Sequence, residues 1–215
     1  MSGPGLPHRP LTAAIMCLAL AGCGSLFGPS APVSYYSLTP AATGDAALPS
    51  MGRGIIAVQT VRLPDYLNQN GIVTRSDANA LNIARDSQWA GSLSDNITNV
   101  VVTNLSRLLA TTRVVAYPVS AALPVDRVVQ VDISQFEAIP GGRVVLNGQW
   151  TIFADGGRTF LTTDSGAYAT SASGTGYAEI AEAMSQVLGS FSHDIAVALV
   201  ATGQGSPKPT TTPNP

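Results

Sequence analysis

The chain has 215 residues, 11% of them charged, with a formal net charge of −2. So sparse and balanced a charge excludes the basic surface that a nucleic-acid partner requires. Both cysteines lie within the first 23 residues, which excludes a disulfide framework in the body of the chain.

The first residues carry their own chemistry. His8 and Arg9 precede an apolar run from Leu11 to Leu20, which ends in Leu20-Ala21-Gly22-Cys23. A basic start, an apolar run of about ten residues and small residues at the end read as a secretion signal. The run is too short to span a bilayer, which needs roughly 20 apolar residues. Leu20, Ala21, Gly22 and Cys23 resemble a bacterial lipobox. The Cys23 thiol would take a diacylglyceryl group, and the small residues before it admit the peptidase. The expectation is a mature chain starting at Cys23, with a covalent diacylglycerol and an N-acyl chain and no other cofactor. Each buried methylene contributes about 0.8 kcal/mol to anchoring, and stable attachment takes two chains. Gly24 follows the cysteine in place of the Asp that retains many such proteins in the inner membrane. The expected location is therefore the outer membrane, lipid-anchored and facing the periplasm.

Residues 23–34 are rich in Gly, Ser and Pro and read as a flexible tether. Residues 203–215 hold Pro, Thr and Gly without a large apolar side chain, and read as a disordered tail. The folded domain is expected over residues 35–202. Its elements alternate. Val33 to Leu38 suits an edge strand, and the β-branched run from Gly54 to Leu63 suits a central one. Ile72 to Arg75 and Ala80 to Arg85 read as short strands around a turn at Asp77-Ala78-Asn79. Leu93, Ile97, Val100, Val101, Leu105 and Leu108 fall at helical spacing behind a Ser92 or Ser94 cap. Thr112 to Tyr117 is a short strand stopped by Pro118.

A long hairpin follows. Val129, Val131 and Ile133 alternate with Gln130, Asp132 and Ser134. Gly141-Gly142 turns the chain, and Leu146, Trp150 and Ile152 share a face on the return. Gly156-Gly157 makes a second turn into a strand from Thr159 to Tyr168. Tyr177, Ile180, Met184, Val187, Leu188, Phe191, Ile195 and Leu199 make the stripe of a last helix. The expected fold is α+β, a two-layer sandwich of a mostly antiparallel sheet with two main helices. Trp89, opening the first helix, and Trp150 are expected to pack in the core.

The search for chemistry finds no catalytic set. His193 is the only histidine past the leader, and it sits on a helix beside Asp194. No serine lies in a Gly-x-Ser-x-Gly elbow. Glu179 and Glu182 sit three apart on one helix, which suits a solvated face. Zinc would need His or Cys ligands that the body of the chain does not offer. The expectation is no catalytic residue, no metal and no enzymatic activity.

Several segments resemble the PqiC-like lipoproteins, also called ABC-type transport auxiliary lipoproteins. They are Leu63 to Arg75 (LPDYLNQNGIVTR), Trp89-Ala90 with Leu93, Asn104-Leu105 with Leu108, Val131-Asp132-Ile133 with Phe136, Val145-Leu146 with Trp150, and the last helix. The matches run in order over about residues 33 to 200. The sequence departs from the family pattern at Asn68 to Gly71, where a basic residue and proline are more usual. The resemblance implies a membrane-integrity lipoprotein that accompanies an MCE-domain protein and either an MlaE-type ABC permease or a PqiA-type inner-membrane protein. It implies phospholipid as cargo, a homo-oligomer, and a non-enzymatic docking role. Pro64, Asp65, Tyr66 and Leu67 form a candidate partner-contact loop. The other reading of the residues is a lipoprotein regulator of a cell-wall synthase.

Overall fold

The computed structural model describes residues 32–41, 48–49, 54–120 and 122–204. Eight strands and two long helices make an α+β fold. The strands are β1 (Ser34–Tyr36), β2 (Ile55–Val58), β3 (Gly71–Asp77), β4 (Ala80–Trp89), β5 (Val114–Ala116), β6 (Val125–Ile139), β7 (Arg143–Ala154) and β8 (Thr159–Ser171). The helices are α1 (Leu93–Leu108) and α2 (Tyr177–Gln204).

β6 is the spine of the sheet. β7 pairs antiparallel along almost its whole length, and β8 pairs antiparallel with β7. The other edge of β6 is shared. Its first residues take β2, which runs parallel and carries β5 outside it. Its far end takes β3 through Thr74↔Ala138, then β4 and β1. The sheet is thus mixed: the long ladders are antiparallel, as expected, and the short ones are parallel. Local alternation cannot report the parallel partners, because each is brought in by a distant stretch of chain.

The expected strand from Gly54 to Leu63 is hydrogen-bonded as a strand only over Ile55–Val58. The chain nevertheless stays beside β6. Gln59 N–H donates to Val129 O at 2.9 Å and Arg62 N–H to Val131 O at 3.0 Å. The Val61 N–H goes instead to Thr98 Oγ1 on α1, at 3.0 Å, which interrupts the ladder. Trp89 and Ala84 belong to β4, so the strand runs further than Arg85 and Trp89 precedes α1 rather than opening it.

Both helices pack on one face of the sheet. α1 starts where the Ser92 hydroxyl accepts the Asp95 N–H at 3.2 Å, and Arg107 sits in its last turn, complementing the helix dipole. Inward residues of β7 (Val144, Leu146, Trp150, Ile152) and the α2 stripe (Met184, Leu188, Phe191, Ile195, Leu199) join one core. A bulge between Ile133 and Gln135 shifts the alternation of β6. Val129, Val131 and Ile133 face the helices before it, and Phe136 and Ala138 after it, so Glu137 points to the other face. The core closes over two paired glycines, Gly148↔Gly166. Phe191 lies against Gly148, and Tyr168 and Trp150 meet the Phe191 ring edge-on at 5.6 and 5.4 Å. Trp89 and Trp150 are both buried.

Candidate functional site

Cys23 and the lipobox residues Leu20, Ala21 and Gly22 lie outside the described residues. The candidate contact loop lies inside them. Pro64 leads into a single 3-10 turn, Asp65–Leu67, closed by Leu67 N–H to Pro64 O at 2.9 Å and Asn68 N–H to Asp65 O at 3.1 Å. The turn divides its side chains. Leu67 is buried in the core, Pro64 and Tyr66 are half-buried, and Asp65 alone is fully exposed. Of the four, Asp65 with the flanks of Pro64 and Tyr66 is what a partner would meet.

Tyr66 lies over a polar network on the sheet face away from the helices. Arg75 Nε donates to the buried Glu137 Oε1 at 2.6 Å, and Arg75 Nη1 to Ala78 O at 3.0 Å. Gln135 Nε2 donates to the same Glu137 oxygen at 3.1 Å, and Asn147 Nδ2 to Gln135 Oε1 at 2.8 Å. Burial, and then the Glu137 carboxylate facing its hydroxyl, push the Tyr66 phenol up to about 12. The hydrogen bond to Glu137 raises the already high Arg75 value, so the guanidinium stays charged. This is a clamp between strands. One oxygen of its carboxylate takes two donors from its own chain, which suits holding geometry, while Oε2 is buried without a hydrogen-bond partner among the described residues.

His193 and Asp194 stand in contact, Nδ1 to Oδ1 at 3.3 Å, and the Tyr168 hydroxyl donates to Asp194 Oδ2 at 2.6 Å. Burial and the Asp194 carboxylate raise the Tyr168 phenol. This cluster joins α2 to β8 at the surface. Glu179 folds back over Gly174 and Gly176, whereas Glu182 is exposed. Among the described residues no group of three or more His, Cys, Asp or Glu is placed to hold a metal.

Two features escaped the sequence reading. The first is the free edge of β8. Among the described residues its thirteen residues pair only with β7, and Asp164 is the single charge among them. Natural sheets usually protect such an edge with lysine, proline or a bulge; β8 has an irregularity near its start, where Thr162 and Phe160 pair with successive residues of β7, and no lysine or proline. The second is a cleft where β6 begins and β7 turns into β8, lined by Arg127 and Arg158 among others. The two arginines are 31 positions apart, so no local pattern announces them.

Comparison with known proteins places this architecture. Residues 36–196 match the family described as ABC-type transport auxiliary lipoprotein component. The chain is 30% identical over 138 residues to the intermembrane transport lipoprotein PqiC of Escherichia coli (strain K12), covering 64% of this chain and 71% of that one. The PqiC of Shigella flexneri matches to the same extent. In fold, the domain is similar to a crystal structure from Xanthomonas campestris, with TM-score 0.68 and 18% identity over 80% of this chain and 97% of the other. With the family matched across both helices and nearly every strand of the sheet, the chain belongs to the ABC-type transport auxiliary lipoproteins, membrane-anchored components of transport systems.

Proposed function

We propose that this chain is a periplasm-facing lipoprotein of an MCE-type intermembrane phospholipid transport system, acting as a docking subunit without catalysis. The observation that carries this reading is the family match over residues 36–196 together with the likeness to a lipoprotein named for intermembrane transport. The acyl chains on Cys23 hold the protein at the outer membrane. The folded domain engages an MCE-domain protein, which works with an MlaE-type permease or a PqiA-type inner-membrane protein.

The geometry supports docking. A specific interface buries roughly 1,200–2,000 Å² in total. The β8 edge, with thirteen residues and one charge, offers backbone donors and acceptors over a long line. A neighbouring copy of the chain is the partner we assign to it, which makes a homo-oligomer; the Pro64–Leu67 turn is left for the MCE partner. Co-purification from solubilised membranes, read by mass spectrometry, tests the reading. Recovery of an MCE protein and its permease is the expected result. Recovery of a cell-wall synthase in their place overturns it.

A further inference from the structure

The cleft at the start of β6 has a volume of about 550 Å³, within the range of ligand sites. Arg127, Arg158, Asp126 and Asp155 bring two charges of each sign to it, and Tyr117 and Leu123 supply apolar wall. Tyr117 is 46% exposed. The four charges balance, yet no ion pair joins any of them. The Arg158 guanidinium has no partner among the described residues. Arg127 Nη1 donates to Asp126 O at 3.2 Å, while its Nε is buried without an acceptor. Asp126 Oδ2 accepts the Ile55 N–H at 2.8 Å, and Asp155 Oδ2 accepts the Thr159 hydroxyl at 2.7 Å. A carboxylate has about four acceptor positions, so both keep open lone pairs.

Opposite charges in one cleft normally pair with each other. Here Arg127 is held by the neighbouring backbone, Asp155 by a local hydroxyl and Asp126 by the distant Ile55 N–H, while the Arg158 guanidinium stays open. Such a site suits a ligand that carries both charges at once. A guanidinium grasps phosphate through two parallel N–H bonds, and a carboxylate accepts from a primary ammonium. The Tyr117 and Leu123 wall suits the apolar start of an acyl chain.

We propose that this cleft binds the phosphoethanolamine headgroup of a phospholipid, with phosphate on Arg127 and Arg158 and ammonium on Asp126 and Asp155. The assignment rests on the lipid-transport reading for its ligand class and deepens it. A net-neutral cleft gives no general attraction to anions, so it favours the zwitterion over phosphatidylglycerol or free phosphate.

The test is titration calorimetry on the full-length lipidated protein in nonionic detergent. The probes are dihexanoyl phosphatidylethanolamine, dihexanoyl phosphatidylglycerol and inorganic phosphate. We expect the ethanolamine lipid to bind about tenfold more tightly than either of the others. Arg158→Ala, at an exposed position, should lose about tenfold in that affinity with unchanged melting. Asp155→Asn, which tolerates the left-handed backbone there (φ 54°), should narrow the gap between the two lipids. Equal binding of all three probes, or wild-type binding by Arg158→Ala, overturns the assignment. The same preparations are tested for capture of the MCE partner. Lipid binding without capture supports the cleft and sinks the docking reading; capture without lipid binding does the reverse.

Discussion

Arg75 Nε donates to Glu137 Oε1 at 2.6 Å, tying β3 to β6 beside the one residue pair, Thr74↔Ala138, at which those strands register. The Glu137 side chain is fully buried, and Arg75 is 24% exposed. So short a parallel contact needs a side-chain link. Removing Arg75 leaves the buried Glu137 carboxylate without its cation. Arg75→Ala should therefore lower stability in urea unfolding. A double mutant, Arg75→Met with Glu137→Leu, should recover much of that loss. A single mutant that unfolds like wild type would remove the clamp from the account.

The Tyr66 phenol, pushed up to about 12 by burial and by Glu137, makes stability depend on alkaline pH. The unfolded chain ionises this group near pH 10, whereas the folded chain keeps its proton to about 12. The unfolded state thus binds fewer protons in that window, so stability is complete below pH 10 and falls as pH rises toward 12. Tyr66→Phe should flatten this fall, and Tyr168→Phe should flatten it further, since the Tyr168 phenol is raised in the same sense. Melting temperature against pH between 9 and about 12 is the measurement; identical slopes in wild type and Tyr66→Phe would contradict the contact with Glu137.

Two buried glycines should rank clearly. A Cβ on Gly71 would collide with the backbone carbonyl of Ala84, in the irregular stretch of β4 between its pairs Val73↔Ile83 and Gly71↔Gln88, so main chain rather than a side chain would have to move. A Cβ on Gly148 would stand 3.1 Å from Phe191 Cε2, at the edge of a ring that can shift. Gly71→Ala should cost about 3 kcal/mol or more and Gly148→Ala about 1 kcal/mol. Denaturant midpoints decide the order, and the reverse order would show that the β4 main chain at Ala84 yields more readily than the Phe191 cluster.

The outer edge of β8, with a single charge along it, makes a prediction about assembly. Ser165→Lys with Ala169→Lys adds two charges at exposed positions of that strand. Folding stability should change by no more than about 0.5 kcal/mol each, while the mass of the assembly, read by light scattering, should fall to that of a single chain. A wild-type protein already monomeric under those conditions would sink the edge as an interface.

Cys23→Ala should abolish acylation and leave the protein either in the soluble periplasm or uncleaved at the inner membrane. Palmitate labelling and fractionation read it, and a mutant that still takes up label would place the acylated residue elsewhere.

Much of this protein is determined by patterns that repeat within a few residues, and those are legible without a structure. The apolar stripe of α2, the alternation of Leu146, Trp150 and Ile152, the Ser92 cap and the glycine turns at Gly141-Gly142 and Gly156-Gly157 all depend on local periodicity or on positive φ, which one stretch of chain settles by itself. The frame around Cys23 is local in the same way. Tertiary structure alone decided which strands share the two halves of β6, and that those short neighbours run parallel. It decided that a bulge at Ile133/Gln135 turns Glu137 away from the helices and toward Arg75. It also gathered Arg127 and Arg158 into one cleft and left β8 without an outer partner among the described residues. Each of these outcomes joins residues far apart in sequence. Their pairing is set by which distant surfaces bury together, and no local period carries that information.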